Sequence, residues 1–175
     1  MIILCDSREQ TPLRFKHEAL EGTERKALPF GDYWCEYKDG SLCPYIIERK
    51  AIGDFFGSFG GKGYDNEKNK LEKFQKDERF TKYIVVIEAT FGEVLKGYSH
   101  STVKGLSVAR TMMTWWVKYN VVPCYVPRKD LNIFIAELFY SYGMNKVQDE
   151  KREVERKLRK KRKDNKSNGK KSNNK

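Results

Sequence analysis

The side chains best suited to chemistry cluster where an apolar run, Tyr45-Ile46-Ile47, passes into Glu48-Arg49-Lys50 and on to Asp54. In a β-strand, residues two apart share a face, so Glu48 and Lys50 project together and Arg49 points to the other side. With Asp54 in the first turn of a following helix, a second carboxylate returns toward the same pocket. This grouping suits a divalent metal acting on phosphate, because hard cations take oxygen ligands, polarise the phosphoryl group and make bound water more acidic. Asp32, preceded by Gly31, offers another acid, and Asp6-Ser7-Arg8-Glu9 follows the first apolar run. Taken alone, Glu48, Arg49 and Lys50 could equally be a strand end engaged in surface ion pairs.

The elements that must position these residues can be read from hydrophobic pattern. Met1 to Leu4 predicts a buried strand with Asp6 at its C-terminal end. The segment up to Arg25 has no firm pattern and reads as loop or weak helix. Lys26 to Tyr37 predicts a strand entered through a Gly turn, Lys38-Asp39-Gly40-Ser41 a hairpin loop, and Cys43 to Lys50 the antiparallel partner. That hairpin brings Asp32 near Glu48 if its register permits. The aromatic and glycine mixture from Phe55 to Gly63 predicts a mobile loop beside a groove; it fails the spacing of a phosphate-binding P-loop. Tyr64 to Asp77 predicts a largely exposed helix held by Leu71 and Phe74.

Lys82 to Ala89 predicts a strand covered on both faces, ending at Glu88, which is either a site acid or a solubilising strand-end charge. A helix from Thr102 to Tyr119 follows, with Val103, Leu106, Met113, Trp116 and Val117 as its apolar positions, then a strand from Val121 to Val126. Leu131, Phe134, Ile135, Leu138, Phe139 and Tyr142 form the clearest helical stripe, with Asp130 as N-cap and Gly143 as stop. Trp115, Trp116 and Tyr119 read as core or dimer contacts, with base stacking as the other use. The order of elements implies an α/β fold, a mixed sheet flanked by helices.

Composition narrows the class. The chain has 175 residues, 39% hydrophobic and 13% aromatic, enough for one domain with a real core. No apolar run is long enough to span a bilayer and the N-terminus lacks a signal-peptide pattern, so a soluble intracellular protein is expected. The four cysteines are scattered without a Cys-x-x-Cys pair, which favours buried free thiols over zinc. Formal net charge is +11, and 13 Lys/Arg against 5 Asp/Glu fall between Asp149 and Lys175. The tail is therefore the polycation. It reads as a helical-to-disordered basic segment (148–175) after a folded domain (1–147), with Arg159, Lys160, Lys161, Arg162 and Lys163 as candidate phosphate contacts or a nuclear address.

Asp32, then Glu48-x-Lys50 on the next strand, has the arrangement of the PD-(D/E)xK nucleases. The fuller string, Gly31-Asp32, a spacer, and Glu48-Arg49-Lys50-x-x-x-Asp54, resembles the signature of XPF-type structure-specific endonucleases, a group that includes the archaeal Hef nuclease. Asp6-Ser7-Arg8-Glu9 is similar to that family's opening motif and Ile87-Glu88 to its central strand. The resemblance covers roughly Ile2 to Tyr142. It implies a restriction-endonuclease-like sheet, a Mg2+ or Mn2+ ion held by Asp32, Glu48 and Asp54, a catalytic Lys50, and an Arg49 needed for activity. Asp6, Glu9 and Glu88 become accessory acids, and Arg8, Lys62 and Lys70 substrate contacts.

The resemblance further implies cleavage of branched DNA (flaps, forks, junctions) in repair, recombination or replication. It also implies a homodimer through the helix at 131–142, a possible loading partner, and no membrane. Localisation would be cytoplasmic in a prokaryotic or viral host and nuclear in a eukaryotic one. Two departures stand out: Lys62 and Asn66 or Lys70 replace an Arg and a Gln common in the family, and no tandem helix-hairpin-helix module follows. The rival readings are a noncatalytic nucleic-acid-binding module that works through the basic tail, and a nuclease directed at RNA.

Overall fold

Six strands form one mixed sheet: β1 (Ile2–Asp6), β2 (Gly22–Lys26), β3 (Tyr33–Glu36), β4 (Tyr45–Lys50), β5 (Lys82–Ile87) and β6 (Val121–Tyr125), in the order β2-β1-β3-β4-β5-β6. The computed structural model describes residues 1–171, with side chains through Arg159. The chain divides into two compact units, Met1–Phe139 and Tyr140–Lys175, and the sheet belongs to the first. β3 runs antiparallel to both β1 and β4, whereas β4, β5 and β6 are mutually parallel. The C-terminal ends of β1, β4 and β5 therefore share one edge of the sheet, where open α/β folds place their ligands. Asp6, Lys50 and Glu88 sit at that edge.

Parallel neighbours need crossover segments, and helices supply them. α1 (Ile52–Gly57) and α2 (Lys62–Gln75) connect β4 to β5, and α3 (Phe91–Lys96) and α4 (Gly105–Tyr119) connect β5 to β6. Five of the six β5 residues are buried, as expected for a β-branched strand covered on both faces. α2 is pinned through Leu71 and Phe74, the two apolar positions its pattern predicts. Cys5, Cys35 and Cys43 are buried and all four cysteines are free thiols. Among the described residues, no helix is long and apolar enough to cross a membrane.

Several expectations are corrected. Residues 22–26, read as loop or weak helix, form β2: its side chains are mostly exposed, so an edge strand defined by backbone pairing with β1 left no apolar alternation to see. The strand expected from Lys26 to Tyr37 is shorter, because Lys26 ends β2 and Gly31, at φ 73°, turns the chain before β3. The Phe55 to Gly63 segment is not a mobile loop. Phe55 and Phe56 are buried in α1, and Phe59 stacks on Trp115 with ring centroids 5.2 Å apart. Its glycine at 63 serves close packing, since a Cβ there would meet the Gly57 carbonyl oxygen at 2.2 Å.

α4 packs through Val108, Ala109, Met112, Trp115 and Tyr119, while Leu106, Met113, Trp116 and Val117 are exposed. The stripe read from sequence was thus rotated by one position, and a one-residue slip turns a helix face by about 100°. α3 was missed, although Thr90 and Glu93 form a capping box at its start. α5 (Leu131–Lys171) does not stop at Gly143. An internal glycine costs only about 1 kcal/mol, which a helix this long absorbs. The expected passage from helix to disorder concerns residues 148–175, of which 172–175 lie outside the described residues.

Candidate active site

Gly31 lets Asp32 enter the site. At Gly31 a Cβ would lie 2.5 Å from Ile46 Cγ1 and 3.0 Å from the Ile47 carbonyl oxygen, so the positive φ and the close approach both demand glycine. The next residue is then locked: the Asp32 N–H donates to the Ile47 carbonyl at 2.7 Å, and the Asp32 carbonyl accepts from the Asp6 N–H at 2.8 Å. Asp32 Oδ2 accepts from the Arg49 N–H at 2.7 Å. The β3–β4 register, Tyr33 opposite Ile47, thereby sets Asp32 beside Glu48. Burial, and after it the charge of Glu48, pushes the Asp32 carboxyl up to about 7.

Glu48 is almost wholly enclosed, at 5% exposure. Burial would raise its pKa, yet the Lys50 and Lys70 ammonium groups outweigh that and hold it below the usual carboxylate range. Its Oε1 pairs with Lys50 Nζ at 2.9 Å and with Lys70 Nζ at 3.0 Å, and its Oε2 accepts from the Tyr83 hydroxyl at 2.8 Å. Lys50 Nζ also donates to Glu67 Oε1 at 2.9 Å. Burial works against the Lys50 charge, but the two carboxylates raise its pKa above the ordinary value. Asp54 lies in the first turn of α1, and no described residue bonds or pairs with its carboxylate.

Asp32, Glu48, Asp54 and Lys70 border a cleft of about 580 Å³. Asp6, Arg8, Glu9, Asp32, Glu48, Asp54, Lys70 and Lys73 all line it, with Phe30 as an aromatic wall. Asp6 and Glu48 are buried in this lining while Arg8, Lys70 and Lys73 reach solvent, an arrangement fit for a cation and a phosphate together. Among the described residues, no three His, Cys, Asp or Glu side chains form a ready metal cage.

The opposite face of β4 is built differently. Arg49 Nε donates to Glu88 Oε1, and Arg49 Nη1 donates to the Thr11 carbonyl at 2.8 Å and lies 3.8 Å from Glu9 Oε1. Glu88 Oε2 accepts from Arg128 Nη1 at 2.8 Å. Asp6, 2% exposed, accepts from the Arg8 N–H, Nε and Nη2 at 2.7, 2.8 and 2.7 Å and from the Leu28 N–H at 3.0 Å. The Arg8 side chain, above all, lowers the Asp6 carboxyl to about 2. Arg25 Nη2 ties the same loop down through the Ser7 and Glu9 carbonyls, at 2.7 and 2.8 Å.

With this geometry in view, comparisons with known proteins place the chain. The model of the ERCC4 domain matches residues 5–122, well over half of the sequence. The chain belongs to the ERCC4 domain family. Its fold is that of XPF from Aeropyrum pernix, with a TM-score of 0.54 at 20% identity over 78% of this chain and 63% of that one. A structure of the same protein in complex with DNA gives a TM-score of 0.58 at 16% identity, over 82% of this chain and 66% of that one. The chain thus spans slightly less than two thirds of the length of these XPF structures. No curated protein matches. The XPF-type resemblance read from Gly31-Asp32 and Glu48-Arg49-Lys50-x-x-x-Asp54 is shown, and with it the α/β fold of a mixed sheet flanked by helices.

Within the ERCC4 fold the structure brings Asp32, Glu48 and Asp54 to one cleft, with Lys50 behind Glu48. Arg8 and Lys70 also line the cleft, whereas Lys62, at the start of α2, does not. Arg49 faces away: its side chain braces the loop after β1, and only its backbone N–H reaches Asp32. Arg159 pairs with Glu155 at 3.9 Å, and the side chains of Lys160, Lys161, Arg162 and Lys163 lie outside the described residues. Glu67, Lys73, Tyr83 and Arg128 were not singled out from sequence. For Glu67 a signal existed: with Lys70, Leu71 and Phe74 it makes an i, i+3, i+4, i+7 face, so the buried pair already aimed it at the sheet.

Proposed function

We propose that this ERCC4 domain is a metal-dependent endonuclease that hydrolyses phosphodiester bonds in branched DNA. The observation that carries the reading is the Asp32–Glu48 pair, two carboxylates enclosed together in a cleft rimmed by Arg8, Lys70 and Lys73. Two neighbouring buried acids repel one another, which adds to burial in raising Asp32, and a hard cation between them would remove the conflict. The donor set fits Mg2+ or Mn2+. Such ions are commonly held by one or two carboxylates, with water and substrate phosphate completing the shell, so the missing third protein ligand is no obstacle. Bound there, the ion would supply Lewis acidity toward the phosphoryl oxygen and a more acidic water.

The chain's own residues account for the rest. Asp32 and Glu48 would hold the cation, and Asp54, at the cleft, would orient a water there. Lys50 places the attacking water and offsets charge that develops on the phosphoryl oxygens. Arg8, Lys70 and Lys73 receive the DNA backbone. Water oxygen bonds to phosphorus and gives up a proton, the phosphorus–oxygen bond to the leaving sugar oxygen breaks, and that oxygen takes up a proton, so that one water is consumed overall. The DNA-bound state of the Aeropyrum XPF structure supports DNA as substrate. A homodimer is part of the proposal, but its surface shifts: Leu131, Ile135 and Phe139 are spent on the core, which leaves Phe134 and Leu138 together with the exposed α4 face of Leu106, Met113, Trp116 and Val117.

The test is cleavage of labelled flaps, forks, junctions, linear duplexes and matched RNA forks. Cutting of branched DNA in Mg2+ or Mn2+, abolished by chelation, is expected. Glu48→Gln, which keeps an acceptor for Tyr83, should lower kcat by about 1,000-fold or more with an unchanged Tm. No metal-dependent cleavage of any branched DNA would refute the proposal.

A further inference from the structure

Glu48 is saturated: its Oε1 meets two ammonium groups and its Oε2 a buried hydroxyl. A carboxylate so occupied can serve a cation only if the two lysines have another acceptor within reach. Glu67 is that acceptor. Its Oε1 lies 2.9 Å from Lys50 Nζ and 3.4 Å from Lys70 Nζ, so the four charges alternate around a ring. This is no flexible surface pair, since the side chains of Glu67 and Lys50 are only 12% and 14% exposed. Glu67 is also rigidly mounted. Leu71 and Phe74, on the same face of α2, are buried, and Phe74 meets Tyr83 edge to face at 5.3 Å. Tyr83 in turn holds Glu48, so one packed unit fixes both carboxylates that grip Lys50.

We propose that Glu67 is a positioning residue for the hydrolysis: it anchors Lys50 and Lys70 through α2, so that Lys50 keeps its place beside Glu48 when that carboxylate turns to a cation. This rests on the nuclease reading given above. Without Glu67, both ammonium groups have Glu48 as their remaining carboxylate, which ties up the acid the reaction needs and lets Lys50 swing. Glutamine at this position still offers an oxygen to the ammonium N–H groups, so the anchoring survives loss of the charge.

The experiment compares wild type, Glu67→Ala and Glu67→Gln in three measurements. Lysine labelling by reductive methylation, read residue by residue by mass spectrometry in the metal-free protein, reports whether Lys50 is held. Steady-state cleavage of a branched DNA gives kcat and KM, and thermal melting controls for folding. In Glu67→Ala, Lys50 should label several-fold faster, and kcat should fall by about 10- to 100-fold with KM nearly unchanged. Glu67→Gln should restore both. Unchanged Lys50 labelling in Glu67→Ala overturns the proposal, and so does a Glu67→Gln protein as impaired as Glu67→Ala. A wild type that cuts no DNA refutes the nuclease reading, and the labelling comparison still decides whether Glu67 holds Lys50.

Discussion

The two faces of the β4 terminus carry similar residues and use them in opposite ways. On one face, Asp32 and Glu48 share a cleft where burial, and after it the charge of Glu48, pushes Asp32 up to about 7, and among the described residues the Asp54 carboxylate has no partner. On the other, Arg49, Glu88 and Arg128 form a chain of charge-assisted bonds; Asp6, although it lines the cleft, likewise has its oxygens filled, by four N–H donors, and sits at about 2. Asp32, held beside the charge of Glu48, is available for chemistry, whereas the oxygens of Asp6 and Glu88 are filled by arginine and backbone donors. We propose on this ground that Asp6 and Glu88 serve the scaffold, although their place at strand ends makes them look alike with Glu48.

The largest effect that separates the two faces should come from Asp6→Ala. It removes the acceptor of the Leu28 N–H, which is buried, and the anchor of Arg8, whose exposed guanidinium can rehydrate. The expected loss is about 2–3 kcal/mol, seen as a fall in Tm of roughly 5–10 °C. At a temperature where the variant remains folded, kcat should stay within about tenfold of wild type. A stable but inactive Asp6→Ala protein would break the division and return Asp6 to the site.

The next test is pH. Asp32 is raised from 3.8 to about 7, so in the metal-free protein the folded state binds a proton that the unfolded state has released. Its contribution to stability is present at low pH and lost as pH rises toward 7. Cation binding has the opposite sign, because the ionised carboxylate is the ligand. Between pH 5.5 and 8, Mn2+ affinity measured by calorimetry should climb, by at most about tenfold per unit below 7, while the metal-free Tm declines. Asp32→Asn should flatten both trends. Asp6, already ionised throughout this window, contributes to neither. A pH-independent Mn2+ affinity would show that the Asp32–Glu48 conflict is not what the cation relieves.

Much of this division was legible in the sequence, and the missing part has physical causes. The alternation rule separated Glu48 and Lys50 from Arg49, the apolar run of β5 announced its burial, and Leu71 and Phe74 announced α2. What sequence could not convey was satisfaction. Whether a strand-end acid is free or filled depends on residues far along the chain, such as Leu28 for Asp6 or Arg128 for Glu88. Edge strand β2 escaped notice because backbone pairing, and not side-chain burial, defines it. The apolar face of α4 was misassigned because both faces of that helix carry large apolar residues, so pattern alone left the phase open.

The smallest effect tests how far the scaffold face extends. Arg128 closes the chain through Glu88, yet its side chain is 67% exposed, and Glu88 keeps Arg49 as a buried partner when Arg128 is removed. Exposed ion pairs contribute about 0–1 kcal/mol, so Arg128→Ala should shift Tm by no more than roughly 2–4 °C and leave kcat nearly unchanged. KM for branched DNA should stay near wild type too, because Arg128 does not border the cleft. A clear rise in KM at constant kcat, largest at low salt and shrinking as salt is added, would mean that Arg128 meets a phosphate. The DNA path would then run past the end of β5 and onto the face here assigned to structure.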